Sequence, residues 1–425
     1  MKNIQAWAKH LVRYHDGRFV NEQLFCLYAL NMVQRHINNT QGNYFYKDDN
    51  WLGAGSGFLP TIEGLRTQIE NGDFRFIKKL QYLARGIRGS DSFWRGKQEE
   101  LESWIDFHIA RGQGPPTHFM TLSCAENWWP DLTRIMIELE KEAGNVEQVE
   151  ALEQGDFKAM SKSVKRFTVY VNDFFMKRSK VFLDTIVKDV MGIEHYWARV
   201  EFAPGRGQIH LHLLGIGRDK SYLIDFYNAN TEEAKTAVLE KYATKVMNMT
   251  ADVDINETHK SDTSPESMSP LKHRFCECTT NVNHDAQMLA QECMCHLCNE
   301  YCLGCDDKNK PRECKFGYGK ETECGKCDTE GKPLQETSVI LCGKRGVEQL
   351  LLKRTKSRKV VQHSTSCLQC WRANVDVQLL VYRTHPNKPN MNEIENVIKY
   401  VVAYASKKNH TSKAERSAIQ DIITW

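Results

Sequence analysis

Apolar residues recur every three or four positions in NEQLFCLYALNMVQRHI (21–37) and GLRTQIENGDFRFIKKLQYLARGI (64–87). That spacing places them on one face of a helix, so residues 1–112 read as a helical N-terminal region. After GQGPP the pattern changes. THFMTLSC (117–124) reads as a strand, and Trp129-Pro130-Asp131 opens a helix through DLTRIMIELEKEA, with proline at a first-turn position that tolerates it. A long amphipathic helix is expected from about Lys158 to Val190. HYWARVEFAPGRGQIHLHLLGIG (195–217) then reads as a β-hairpin, two β-rich arms around Pro204-Gly205-Arg206-Gly207.

A further helix, TEEAKTAVLEKYATKVM (231–247), runs into the polar loop NETHKSDTSPESMSP (256–270), which marks a domain boundary. Beyond it lie a cysteine-dense segment, the basic stretch LLLKRTKSRKVVQH (350–363), the strand NVDVQLLVYR (374–383) and the helix MNEIENVIKYVVAYASKK (391–408). Strands alternating with long helices predict an α+β fold with a mainly antiparallel sheet, interrupted by an insertion. Four segments follow: 1–112, 113–250, an insertion over 251–345, and 346–425, which completes the second.

Composition changes this picture at one place. With 57 basic and 54 acidic residues the chain is close to neutral and global charge names no partner. The chain has no run of eighteen apolar residues and no apolar stretch at its start, so a soluble, intracellular protein without a membrane partner is expected. Of the 15 cysteines, however, ten fall between Cys276 and Cys327. In a reducing compartment such a block points to zinc rather than disulfides. Cys295/Cys298, Cys302/Cys305 and Cys324/Cys327 are CxxC pairs, Cys276/Cys278 and Cys293/Cys295 are CxC pairs, and Cys314 and His296 add donors suited to tetrahedral zinc. A fourth CxxC, Cys367/Cys370, lies further on. The reading is a structural staple, with no catalytic part assigned to the zinc.

Candidate chemistry gathers at two other places. His210 and His212 are two apart in a strand, about 6.6 Å along one face, and both can aim at one divalent ion. Glu201 on the facing arm and Gln208, in phase with the histidines, are the candidate third ligands. An HxH strand can equally carry two imidazoles satisfied by hydrogen bonds, and both readings stand at this level. Tyr400 and Tyr404 are four apart on one helix face, with Lys407 one turn on. Aromatic residues at that spacing commonly belong to a core, yet a cation is odd company for a buried stripe. A phenol is also a nucleophile once a metal or base activates it, its pKa being about 10. The basic stretch, with Lys353, Arg354, Lys356, Arg358, Lys359 and Arg372, fits a phosphate-backbone contact, a nuclear-import signal or a solvated loop.

Taken in order, HFMTLSCAENWWPDLTRIM, VEFAPGRGQIHLHLL, HLCNEYCLGC with ECKFGYG, CWRANVDVQLLVY and YVVAYASK resemble the replication-initiator nuclease of Helitron-type rolling-circle transposases, which are HUH endonucleases. The resemblance covers most of the chain. It departs from the family pattern at Ile209, where a proline is usual, and at Ala403, where a lysine is common.

The resemblance implies an HUH-nuclease-like central antiparallel sheet flanked by helices. It implies Mg2+ or Mn2+ on His210, His212 and Glu201 or Gln208, with structural Zn2+ in the insertion. Tyr400 or Tyr404 would attack single-stranded DNA to leave a 5′-phosphotyrosine, with Lys407 assisting, and rejoining would need no ATP. Partners would be transposon ends and target DNA, with a helicase in the same full-length protein or in trans, since no GxxxxGK[ST] occurs here. A eukaryotic element would place the protein in the nucleus. A plasmid replication initiator or relaxase, or an inactive zinc-containing DNA-binding module derived from a transposase, are the alternative readings.

Overall fold

The computed structural model describes residues 4–19, five positions between 25 and 36, residue 71, and residues 91–202, 208–253, 282–295, 337–342, 347–353, 360–386 and 390–405. The chain divides into two compact units, Met1–Ser103 with Ser406–Trp425, and Trp104–Ala405. In the first, the helix Ile4–Val12 carries Trp7, whose ring meets Phe25 edge-on at 6.4 Å. Phe25 in turn lies 4.9 Å from Phe19. Of the two helical patterns expected there, 21–37 and 64–87, most residues lie outside the described ones.

The second unit is built on one four-stranded sheet. Its strands are β1 (His118–Ser123), β2 (Ile193–Phe202), β3 (Ile209–Gly217) and β8 (Val375–Leu379), in the order β2-β3-β1-β8 and all antiparallel. Two smaller ladders pair β4 (Met249–Thr250) with β7 (His363–Ser364) and β5 (Ser338–Cys342) with β6 (Val347–Leu351). The expected α+β class with an antiparallel sheet is thus present, and β8 adds to β1 although about 250 residues separate them. Alternation does the sorting: Met120, Leu122, Leu211, Leu213, Val375 and Val377 share one face and are buried. Gly215 is needed where β2 begins, because a Cβ there would lie 2.5 Å from Cγ2 of Ile193.

Helices follow their sequence signals. Pro130 opens the helix Pro130–Glu142 behind Trp129. Asp156 caps Phe157–Arg166 by accepting from the Lys158 backbone, and Thr231 caps Glu232–Lys241 in the same way from Ala234. The single helix expected over Lys158–Val190 is instead two. Phe167 leaves helical geometry (φ −107°, ψ 39°), Thr168–Phe182 follows, and the wider π-helical turns Leu183–Val190 end the run. Phe167 itself is buried at the break, with 1% of its surface exposed. A helix Ser221–Asn228, the β5–β6 hairpin and a short helix Thr365–Trp371 complete the unit without having been expected.

An aromatic cluster ties the sheet to its helices. Trp371 meets Trp129, Phe175 and Phe182 edge-on at 5.3–5.8 Å, and its indole donates to the Ser123 carbonyl at 2.8 Å. The Arg178 guanidinium lies 4.5 Å from the Trp129 ring centre and donates to the Trp371 carbonyl. Such a cation over a ring contributes about 2 kcal/mol when desolvated.

At the other end of β1, Thr117 and His118 are fully buried. The Thr117 hydroxyl is 2.7 Å from His118 Nδ1, while Nε2 of that ring is enclosed with no hydrogen-bond partner among the described residues. Burial lowers the His118 pKa from 6.5 to about 4. Between those values the unfolded chain takes up a proton that the folded chain refuses. Stability is therefore complete above pH about 6.5 and is lost as pH falls towards about 4, by about 3 kcal/mol in all. His363, also lowered by burial, adds a slope of the same sign. Urea midpoints measured from pH 7 to pH 4 should fall accordingly, and His118→Asn, whose amide can still meet Thr117 but does not titrate, should flatten the profile in part. An unchanged profile in that variant would remove His118 as the cause.

Candidate functional site

The register of β2, β3 and β1 determines which side chains meet on the sheet. Glu201 stands opposite His210, and Arg199 opposite His212. On the other side of β3, Ser123 faces His210 and Thr121 faces His212, and Asp376 of β8 faces Thr121. Residues directly opposite one another share a face. One row, Arg199–His212–Thr121–Asp376, therefore crosses all four strands beside a second, Glu201–His210–Ser123.

His212 is held at both nitrogens. Its Nε2 is 2.9 Å from Glu201 Oε2, one step diagonally across the ladder, and its Nδ1 is 3.0 Å from the Thr121 hydroxyl. Its ring also stacks parallel to Phe119 at 6.0 Å. Both His212 and Glu201 are largely covered, with 8% and 12% of their side chains exposed, whereas His210 is half-buried. Burial lowers the Arg199 pKa to about 10 against the opposing pull of Glu201, so the guanidinium stays charged at neutral pH.

Gln208 donates from Nε2 to the Cys124 carbonyl at 2.6 Å. An amide ligates metals through oxygen, so this bond leaves its ligating end available. Glu126, two residues beyond Cys124, has its carboxyl pushed up by burial.

As a donor set, two imidazoles and a carboxylate on adjacent strands suit a divalent ion. The histidine pair and Glu201 are neighbours, as their spacing implied. They are not drawn to ligating positions: among the described residues no three His, Cys, Asp or Glu side chains are grouped closely enough to hold a metal ion. Oε2 of Glu201 is engaged by His212. Sequence reasoning missed Thr121, Arg199 and Asp376. The alternation in HFMTLS phases Thr121 with Ser123, but only the strand order reveals which histidine each one meets.

The helix Met391–Ala405 lies against β3 and β6. It buries Ile394, Val397 and Ile398, and carries Tyr400 and Tyr404 in its last two turns. Lys407 is outside the described residues, as is the hairpin turn 203–207. Of the candidate zinc ligands, Cys293 and Cys295 are described. Cys276, Cys278, His296, Cys298, Cys302, Cys305, Cys314, Cys324 and Cys327 lie outside. Cys295 makes a single bridge to Val360, and burial pushes the Cys293 thiol up. In the later CxxC, Cys367 is buried with its Sγ 3.5 Å from Met191 Sδ, and Cys370 is exposed.

The basic stretch divides. Lys353 is exposed, and Arg354, Lys356, Arg358 and Lys359 are outside the described residues. Arg372 corrects the expectation placed on it. It is 5% exposed, adopts φ 57° as the C-cap of Thr365–Trp371, and forks onto Asp285 with bonds of 3.0 and 3.1 Å. A guanidinium committed to a buried carboxylate has no free face for a phosphate.

No curated protein matches the chain. Residues 7–215 match the family model described as the Helitron helicase-like domain at N-terminus. The matched span takes in β1, β2 and all of β3 except its last two residues, and so includes both histidines and Glu201. Residues 7–215 are thus similar to the N-terminal domain of Helitron proteins.

Proposed function

We propose that this protein is a metal-dependent single-stranded DNA endonuclease and strand-transferase of a rolling-circle transposon. The observation that carries the reading is the register that sets Glu201 opposite His210 and one step from His212, on the strand against which the Tyr400/Tyr404 helix lies. The Helitron-related segment supports DNA as the partner class.

In this reading His210, His212 and Glu201 hold the ion, with Gln208 as the alternative oxygen donor. A divalent ion bound there supplies Lewis-acid polarisation of the phosphoryl oxygens. With an ion on Nε2, Nδ1–H of His212 would donate to the Thr121 hydroxyl 3.0 Å away, the usual office of a group behind a metal-bound imidazole. Arg199, directly opposite His212 on the same face, contributes fixed positive charge for a phosphate. One tyrosine oxygen gives up its proton and forms a bond to phosphorus. The bond from phosphorus to the 3′ oxygen breaks, that oxygen takes a proton, and the 5′ end stays on the protein as phosphotyrosine. The phosphodiester energy is kept, so a second 3′-OH can reverse the step without ATP. Two tyrosines allow two strand ends to be held in turn, and the cysteine block serves as a zinc-bound grip on DNA.

The test is a labelled single-stranded DNA pool containing element ends, run on a denaturing gel after incubation with Mn2+ or with EDTA. A protein–DNA band that survives denaturation and requires metal is expected. Binding without any covalent band in Mn2+ would overturn the nuclease reading and leave a DNA-binding module.

A further inference from the structure

Immediately after β1 the chain forms one wall of a surface pocket of about 350 Å³, within the range of small-ligand pockets. Asn127, Trp128 and Pro130 make that wall, and Phe157 and Met160 of the helix Phe157–Arg166 face them. The Trp128 and Phe157 rings are 5.4 Å apart and tilted by 41°, and Phe157 is 49% exposed. Trp128 is half-buried, so both rings keep an accessible face. An accessible aromatic pair suits a flat ring.

Charge selects the part of the ligand that enters. Glu153 and Asp156 line the pocket, and its Arg134 is already paired with Asp131. A phosphate is disfavoured in such a lining and a neutral ring is not. Outside the pocket the sign reverses. Phe157–Arg166 contains four cations and no acid, and Lys158, Lys162 and Lys165 are exposed at four- and three-residue spacing along one face. The pocket wall also follows shortly after the candidate site along the chain. Ser123 faces His210, the Cys124 backbone donates to Ile209, and Gln208 donates to the Cys124 carbonyl, so the wall begins three residues beyond that contact.

Resting on the reading above, we propose that this pocket takes one unpaired nucleobase of the single-stranded DNA, while the lysine row follows the neighbouring phosphates. Stacking on Trp128 and Phe157 anchors the strand, on a chain segment that begins three residues beyond the Cys124 contact with β3.

The full chain would be titrated with a fluorescent oligothymidine and with an abasic oligomer of equal length, reading anisotropy at several salt concentrations. Trp128→Ala and Phe157→Ala are each expected to weaken oligothymidine binding about tenfold and to leave abasic binding unchanged. Phe157 is half exposed, so its variant probes the pocket without opening the core. Lys158→Ala and Lys162→Ala should weaken both ligands and lower the salt slope by about 0.7 each. Oligothymidine binding within twofold of wild type in both aromatic variants would overturn the pocket while the DNA reading stands. Absence of single-stranded DNA binding by the wild type would overturn both.

Discussion

Replacing Tyr400 and Tyr404 together with phenylalanine is expected to lower covalent attachment to single-stranded DNA by at least about 10³-fold, while non-covalent binding stays within about threefold. Phenylalanine keeps the ring and removes only the oxygen that would bond to phosphorus, so the helix Met391–Ala405 should pack as before. Either single variant should keep measurable adduct with one class of strand end, and the pattern identifies which tyrosine acts first. A double variant that still forms the adduct would rule both residues out as nucleophiles.

The histidine side has its own readout. Thr121→Val removes the hydroxyl 3.0 Å from His212 Nδ1 and nothing else of that size, and should weaken Mn2+ binding about 10- to 100-fold, measured by calorimetry without DNA. Unchanged Mn2+ affinity would mean that His212 serves only the Glu201 hydrogen bond.

Legibility divides by the range of the interaction involved. The β2–β3 hairpin could be read because alternation and turn chemistry are local, and so could the helix start at Trp129-Pro130. The pairing of Glu201 with the histidines followed from the hairpin alone. The row that includes Thr121 and Asp376 did not, because it depends on β1 and β8 lying side by side, a decision made by core packing over a long sequence separation. Phe167 shows a limit at short range: helical periodicity continues through it, yet the helix breaks there at a buried side chain. Arg372 shows it for charge. A run of cations reads as one surface, yet a left-handed cap turns this member inward to an aspartate 87 residues away.

That aspartate carries the second large effect. Asp285 is 3% exposed on the helix Val282–Leu289, which leads directly to Cys293 and Cys295. Its carboxylate takes both arms of Arg372, and Gln369 approaches it at 3.5 Å. The Arg372 carbonyl accepts the Trp129 indole at 2.9 Å, so the pair links the entrance of the cysteine block to the aromatic cluster behind β1. Truncating one member leaves a buried charge with no counter-charge, and Asp285→Ala should cost about 3–5 kcal/mol. Removing both charges is a different experiment. Asp285→Leu with Arg372→Met replaces the ions by apolar bulk and should recover most of that loss, since desolvation offsets most of what a buried pair contributes. Urea denaturation of the two variants beside the wild type decides the matter. If Asp285→Ala costs less than about 1 kcal/mol, Arg372 has another route to solvent, and its place in the basic stretch, with a phosphate as its partner, would have to be restored.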